Sequence, residues 1–197
     1  MTMYQQLQSI ATRNNGVLTT ADVLAAGISK DVFSKLISIN QYERVYHGIY
    51  LSPDAWRDDA YLMQLRCPQV IFSHNSALFY HDLTDREPMQ FTVTAKTGYN
   101  PVHLTKDGVK VYKVKADLYD VGITEAVTSF GNKVRVYDID RTICDIVRSR
   151  SSMETQMYHD ALKQYVRRKD KNLHRLMEYA EKFRVAKIIQ KYMGILL

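Results

Sequence analysis

The chain has 197 residues, 46% hydrophobic and 24% charged, a composition that suits one large globular domain or two small ones. No apolar run approaches the roughly 18 residues of a membrane span, "MTMYQQLQSIATRNN" lacks the plan of a secretory signal, and Cys67 and Cys144 stand outside any CxxC, which fits a reducing cytoplasm better than a disulfide framework. A net charge of +6 favours a polyanionic partner, chiefly nucleic acid, over an acidic one.

Met3, Leu7 and Ile10 recur at helical spacing, so residues 2–13 are expected to form an amphipathic helix that "NNG" at 14–16 ends. Thr19 or Thr20 then caps a second helix over 21–26, and Gly27 supplies a sharp turn. Ser29 caps a third helix over 29–39, with Asp31 in its first turn. Val32, Phe33, Leu36 and Ile37 form its apolar stripe, while Lys30, Ser34, Lys35 and Ser38 lie on the other side. In "QYERVYHGIYL", alternation puts Tyr42, Arg44 and Tyr46 on one strand face, and His47-Gly48 is the turn of a hairpin.

Three helices followed by a hairpin is the order of a winged helix-turn-helix, whose third helix enters the major groove and whose wing meets the backbone. Small hydroxyls and lysines can approach a groove closely, where acidic residues would be repelled by phosphate. Lys30, Ser34, Lys35 and Ser38 are therefore the expected groove-facing set, with Ser29 at a phosphate and Arg44 and His47 on the wing; Thr20 joins them as a candidate DNA contact. The alternative is a small helical bundle that binds a protein.

Pro53 and "SPDAWRDDA" mark a boundary, which divides the chain into residues 1–53 and 54–197. Beyond it the pattern predicts a helix over 55–66, a strand at 69–72, a helix from 73 running into a loop, and a strand over 89–97. Hairpins are expected around Asp107-Gly108 and Gly131-Asn132, then helices from Ile139, over 153–168 and over 172–192. The fold class is α+β: the winged module, then a mixed domain with a mainly antiparallel sheet and packed helices. Residues 163–197 hold ten basic against three acidic side chains. Lys163, Arg167, Arg168 and Lys169 are thus candidates for secondary phosphate or subunit contacts, or simply a solvated face.

Several pieces resemble one family. "ERVYHGIYL", then "SHNSALFYHDLTDREP" with Ser73, His74, Ser76, Ala77, Leu78, His81, Leu83 and Asp85, then "FTVTAK", then "YDIDRTICD" with Tyr137, Asp138, Asp140, Arg141, Thr142 and Asp145 are similar to AbiEi-type antitoxins of type IV toxin–antitoxin (abortive infection) systems. The resemblance covers nearly the whole chain, without the nuclease-like domain some members add. It implies an autorepressor that binds inverted repeats in its own double-stranded promoter DNA. It also implies a C-terminal domain that antagonises a nucleotidyltransferase-like toxin without a stable complex, and two copies on neighbouring repeats.

Enzymatic readings compete with it. Ser73-His74 suggests a nucleophile and base, but no third, orienting group is visible. Asp138-x-Asp140 resembles a metal-binding pair for nuclease or nucleotidyl-transfer chemistry, yet Asp138 ending a strand and Asp140 capping a helix explains it as well. "FTVTAK" has Thr94 where a nuclease core needs an acid, and the six histidines lack zinc spacing. No catalytic residue, metal or cofactor is expected, nor a membrane partner. Arg141 and Asp145, four apart, are positioned to pair.

Overall fold

Local chemistry starts the first helix. In the computed structural model, which describes residues 2–196, the Thr2 hydroxyl accepts from Gln5 N–H while Gln5 Oε1 accepts from Thr2 N–H, a capping box for α1 (Met3–Arg13). Asn15, at φ 50°, ends α1 by turning the chain left-handed, and its N–H bonds the Thr12 carbonyl. β1 (Val17–Thr19) follows, a strand too short to show a period in sequence. The Thr19 hydroxyl caps α2 (Thr20–Ala25) through Asp22 N–H, and the Ser29 hydroxyl caps α3 (Lys30–Ile39) through Val32 N–H. β2 (Glu43–Tyr46) and β3 (Ile49–Leu51) form the wing, and the antiparallel sheet runs β1-β3-β2.

The wing departs from simple alternation. Its register shifts between Arg44 and Tyr46, so Val45 and Tyr46 both pack on the cluster of Val17, Ile49, Leu51 and Leu62. Tyr46 therefore does not share a face with Arg44 as expected. A second cluster of Leu7, Ile10, Leu18, Val23, Ile28 and Phe33 fills the space between the helices, and Phe33 meets Tyr50 edge-on at 5.1 Å.

The boundary expected at residue 53 lies elsewhere. α4 (Asp59–Arg66) contributes the fully buried Leu62 to the wing cluster, a burial worth roughly 1.5–3 kcal/mol. Asp58 caps α4 through Tyr61 N–H, and its Oδ2 accepts from Thr128 Oγ1 at 2.5 Å and Asn132 Nδ2 at 2.8 Å. The first compact unit accordingly runs through Pro68 and takes in Val127–Lys133.

The second unit holds Gln69–Ala126 and the chain from Val134 on. Its elements are β4 (Ile71–Phe72), α5 (His74–Tyr80), β5 (Thr92–Lys96), α6 (Val102–Lys106), β6 (Lys110–Val114), α7 (Ala116–Tyr119), β7 (Ile123–Val127), β8 (Lys133–Tyr137), α8 (Ile139–Arg148), α9 (Thr155–Arg167), α10 (Leu173–Lys182) and α11 (Ala186–Leu196). The sheet order is β6-β5-β4-β8-β7; β4 pairs antiparallel with β5, while β4–β8 and β5–β6 are parallel. The α+β class stands, and antiparallel pairings predominate over the two sheets together.

Two expectations here are corrected. Asp107-Gly108 is not a hairpin turn. Gly108, at φ 80°, ends α6: its N–H bonds the Thr105 carbonyl and Val109 N–H bonds the Leu104 carbonyl, which seals the helix over a buried Val109. α6 thus serves as the crossover that makes β5 and β6 parallel. The helix expected over 172–192 is two, because Arg184 turns left-handed at φ 58° and Val185 N–H reaches back to Ala180. α8 runs through the centre of the largest core cluster, packed by α5, α9, α10 and α11. No helix among the described residues is long and apolar enough to cross a membrane.

Candidate nucleic-acid interface

The faces of α3 divide as its sequence pattern predicts. Phe33 is buried and Val32, Leu36 and Ile37 are half-buried, while Lys30, Ser34, Lys35 and Ser38 are exposed. Between α3, the start of α2 and the wing lies a groove of ≈ 880 Å³. Thr20, Lys30, Ser34, Arg44 and His47 all line it. Lys35, Ser38 and Ser29 lie outside it; the first two are on the exposed side of α3, and the Ser29 hydroxyl is engaged as the cap.

The groove's parts are fixed by short-range bonds. Thr20 N–H and Oγ1 both donate to the Gly48 carbonyl, at 2.8 and 3.4 Å, so Thr20 anchors the wing turn. Arg44 Nη2 donates to His47 Nδ1 at 2.7 Å, which holds the guanidinium and the imidazole together at one edge of the wing. Arg66 of α4 adds a third guanidinium or ammonium to the lining, its charge 4.5 Å from the Tyr46 ring centroid. Sequence reasoning missed Arg66 because α4 reads as part of another domain. Lys30, Arg44 and Arg66 face a single lining acid, Asp22, whose Oδ2 accepts from Thr19 at 2.8 Å. A concave, cationic surface beside a capped helix suits a polyanionic strand.

The C-terminal basic residues do not form such a surface. Lys163 and Arg167 line a small cleft with Asp82, Asp85, Arg86 and Asp160, where the signs are mixed. Arg168 binds the His81 carbonyl at 2.7 Å and forks onto Asp170 at 2.8 and 2.7 Å, so its guanidinium braces the chain. Lys163, Arg167 and Lys169 are exposed, and Arg168 is half-buried.

The enzymatic candidates are structural. Asp138, and not Asp140, caps α8, accepting from Arg141 N–H at 2.8 Å. Asp140 is fully buried and accepts from Tyr165 Oη at 2.6 Å and Arg175 Nε at 2.5 Å. Arg141, also fully buried, bonds Asp145 at 3.0 Å and the carbonyls of Leu118 and Val121, with its guanidinium between the Tyr137 and Phe183 rings. Tight space confirms this packing: a Cβ on Gly122 would lie 2.7 Å from the Arg141 Cβ. No cluster of three or more metal-ligating side chains occurs among the described residues.

Ser73 and His74 are buried beneath β5 and β6. Ser73 Oγ accepts from Thr94 Oγ1 at 2.8 Å, and His74 bridges Ser73 and Ser149 at 3.0 and 3.1 Å while stacked on Tyr112. Burial, reinforced by the charges of Arg141, Lys110 and Arg148, pushes the His74 imidazole down to about 3, so it stays neutral. Ser73 precedes α5 without a side-chain cap bond, its hydroxyl engaged instead with Thr94 and His74.

A family model described as "Transcriptional regulator, AbiEi antitoxin" matches residues 5–53, a span running from α1 through the wing. The fold is similar to that of the crystal structure of the RV2827C protein from Mycobacterium tuberculosis, with 13% identity and a TM-score of 0.50 over 98% of this chain and 81% of that one. A comparison with curated proteins gives no match.

Proposed function

We propose that this chain, whose N-terminal segment is of the AbiEi antitoxin regulator type, is the antitoxin of a type IV toxin–antitoxin system and represses its own operon from the cytoplasm. The observation that carries the reading is the groove that gathers Lys30, Ser34, Arg44, His47 and Arg66 beside α3. In this reading the groove cradles one strand's phosphates, held by Lys30, Arg44 and His47. The outer side of α3 then presents Lys35 and Ser38 to base edges in the major groove, with Ser34 beside them at the groove. Two copies occupy paired inverted repeats. The second unit counters a nucleotidyltransferase-like toxin without forming a stable complex with it.

The test is a gel-shift titration against the DNA upstream of its own gene, with scrambled DNA as control and salt varied. Selective binding that weakens steeply with salt supports the reading. Equal, weak binding to both DNAs overturns it in favour of a protein-interaction module.

A further inference from the structure

A second cavity of the first unit, distinct from the groove, has the chemistry of a ligand site. It is an open hollow of ≈ 940 Å³ between α1, the 52–56 loop and the tip of the β7–β8 hairpin. Its lining includes the rings of Tyr42, Trp56 and Phe130 and the polar side chains of Gln8, Asn15 and Asp54. Trp56 is 81% exposed and Phe130 46%, an unfavourable display of large apolar surface at the mouth of one hollow. The walls are rigidly built. Asn132, on the hairpin tip, accepts from Asn15 Nδ2 at 2.9 Å and donates to the buried Asp58 at 2.8 Å.

The charge of this lining is opposite to that of the protein. Asp54 is the one ionisable acid or base of strong charge among the lining residues, in a chain of net charge +6. It makes no ion pair among the described residues. The Asn15 amide lines the hollow and donates through its nitrogen to Asn132, so its oxygen is the atom left to accept. Aromatic faces with a carboxylate and an amide acceptor attract a positive charge carried on an apolar body, and repel an anion. The volume matches a small molecule.

We propose that this cavity binds a small organic cation, an ammonium or guanidinium attached to an apolar ring or chain. The inference stands apart from the DNA-binding reading and uses none of its residues. The chain has a single tryptophan, so Trp56 emission reports occupancy directly.

The probes share one ring and differ in charge: phenethylammonium, 2-phenylethanol and 3-phenylpropionate, each titrated into the full-length protein while Trp56 fluorescence is followed. Phenethylammonium is expected to give a saturating change, the alcohol to bind on the order of tenfold more weakly, and the carboxylate to give none. Asp54→Asn, at an exposed position, is expected to remove the preference for the ammonium and leave far-UV circular dichroism unchanged. Equal responses to the three probes, a response that never saturates, or an unaltered preference in D54N overturns the proposal.

Discussion

The Asp140 carboxylate accepts a 2.6 Å hydrogen bond from the Tyr165 hydroxyl, and both residues are fully buried. Tyr165 lies on α9, and Arg175, the carboxylate's second partner, on α10. One acid of α8 therefore ties two later helices to the core. Asp140→Asn keeps the shape and loses the charge, leaving Arg175 with a weaker acceptor. Because Arg175 is partly exposed, we expect a loss of about 2–3 kcal/mol, less than for a wholly buried pair. Urea unfolding measures it. The same variant checks the enzymatic alternative: metal-dependent turnover that vanishes in a fully folded D140N protein would restore Asp140 as a catalytic group.

His74 makes stability depend on acid. Its folded pKa of about 3 lies below the 6.5 of the unfolded chain, so the unfolded state binds the proton first. Stability is complete above pH 6.5 and falls as pH drops from there toward 3, by up to roughly 4–5 kcal/mol over the whole window. His74→Asn, which also tolerates the left-handed φ of 48° at this position, is expected to flatten that slope between pH 6.5 and 5. Unfolding midpoints at pH 5 and 7 for both proteins decide the matter; equal slopes would move the acid sensitivity to another group.

The two sides of α3 are expected to fail differently. On the proposed reading Lys30→Ala is expected to remove a phosphate contact, weakening operator and scrambled DNA alike and lowering the salt slope by about one. Lys35→Ala, outside the groove, should cost operator binding about 1–2 kcal/mol and scrambled DNA far less. Competition gel shifts at two salt concentrations separate the two, and a uniform loss in both variants would reduce α3 to a phosphate contact.

Gly122→Ala is expected to destabilise the second unit by roughly 2 kcal/mol or more, through a φ of 76° and the 2.7 Å approach to Arg141. Thermal unfolding gives the shift. A Tm within a degree of the parent would show that α8 can yield at Arg141.

Much of the winged module is legible in sequence because its signals are local. The Ser29 cap, the α3 stripe and the His47-Gly48 turn each depend on residues within five positions of one another. The same holds for the Arg141–Asp145 pair, though nothing local shows that it is sealed from water. Where local signals are shared between structures, reading fails. Asp-Gly serves a hairpin turn and a helix end equally, since both need a glycine at positive φ, and the α6 crossover was hidden behind that ambiguity. Arg66 and the 127–133 tip join the first unit through partners far away in the chain, which no window of sequence contains.

The Asp58–Thr128 bond closes across 70 residues. A ribosome adding about 5–20 residues per second needs roughly 4–14 seconds to deliver Thr128 after Asp58. During that interval the nascent chain has all three helices and its wing, and the Asp58 carboxylate can cap α4 through Tyr61 N–H, yet its Oδ2 has only water for company. The first unit is thus finished late, from the middle of a segment that reads as belonging to the other half of the protein. A ribosome that stalls or releases its chain before residue 128 would leave a first unit with its wing formed and one wall missing.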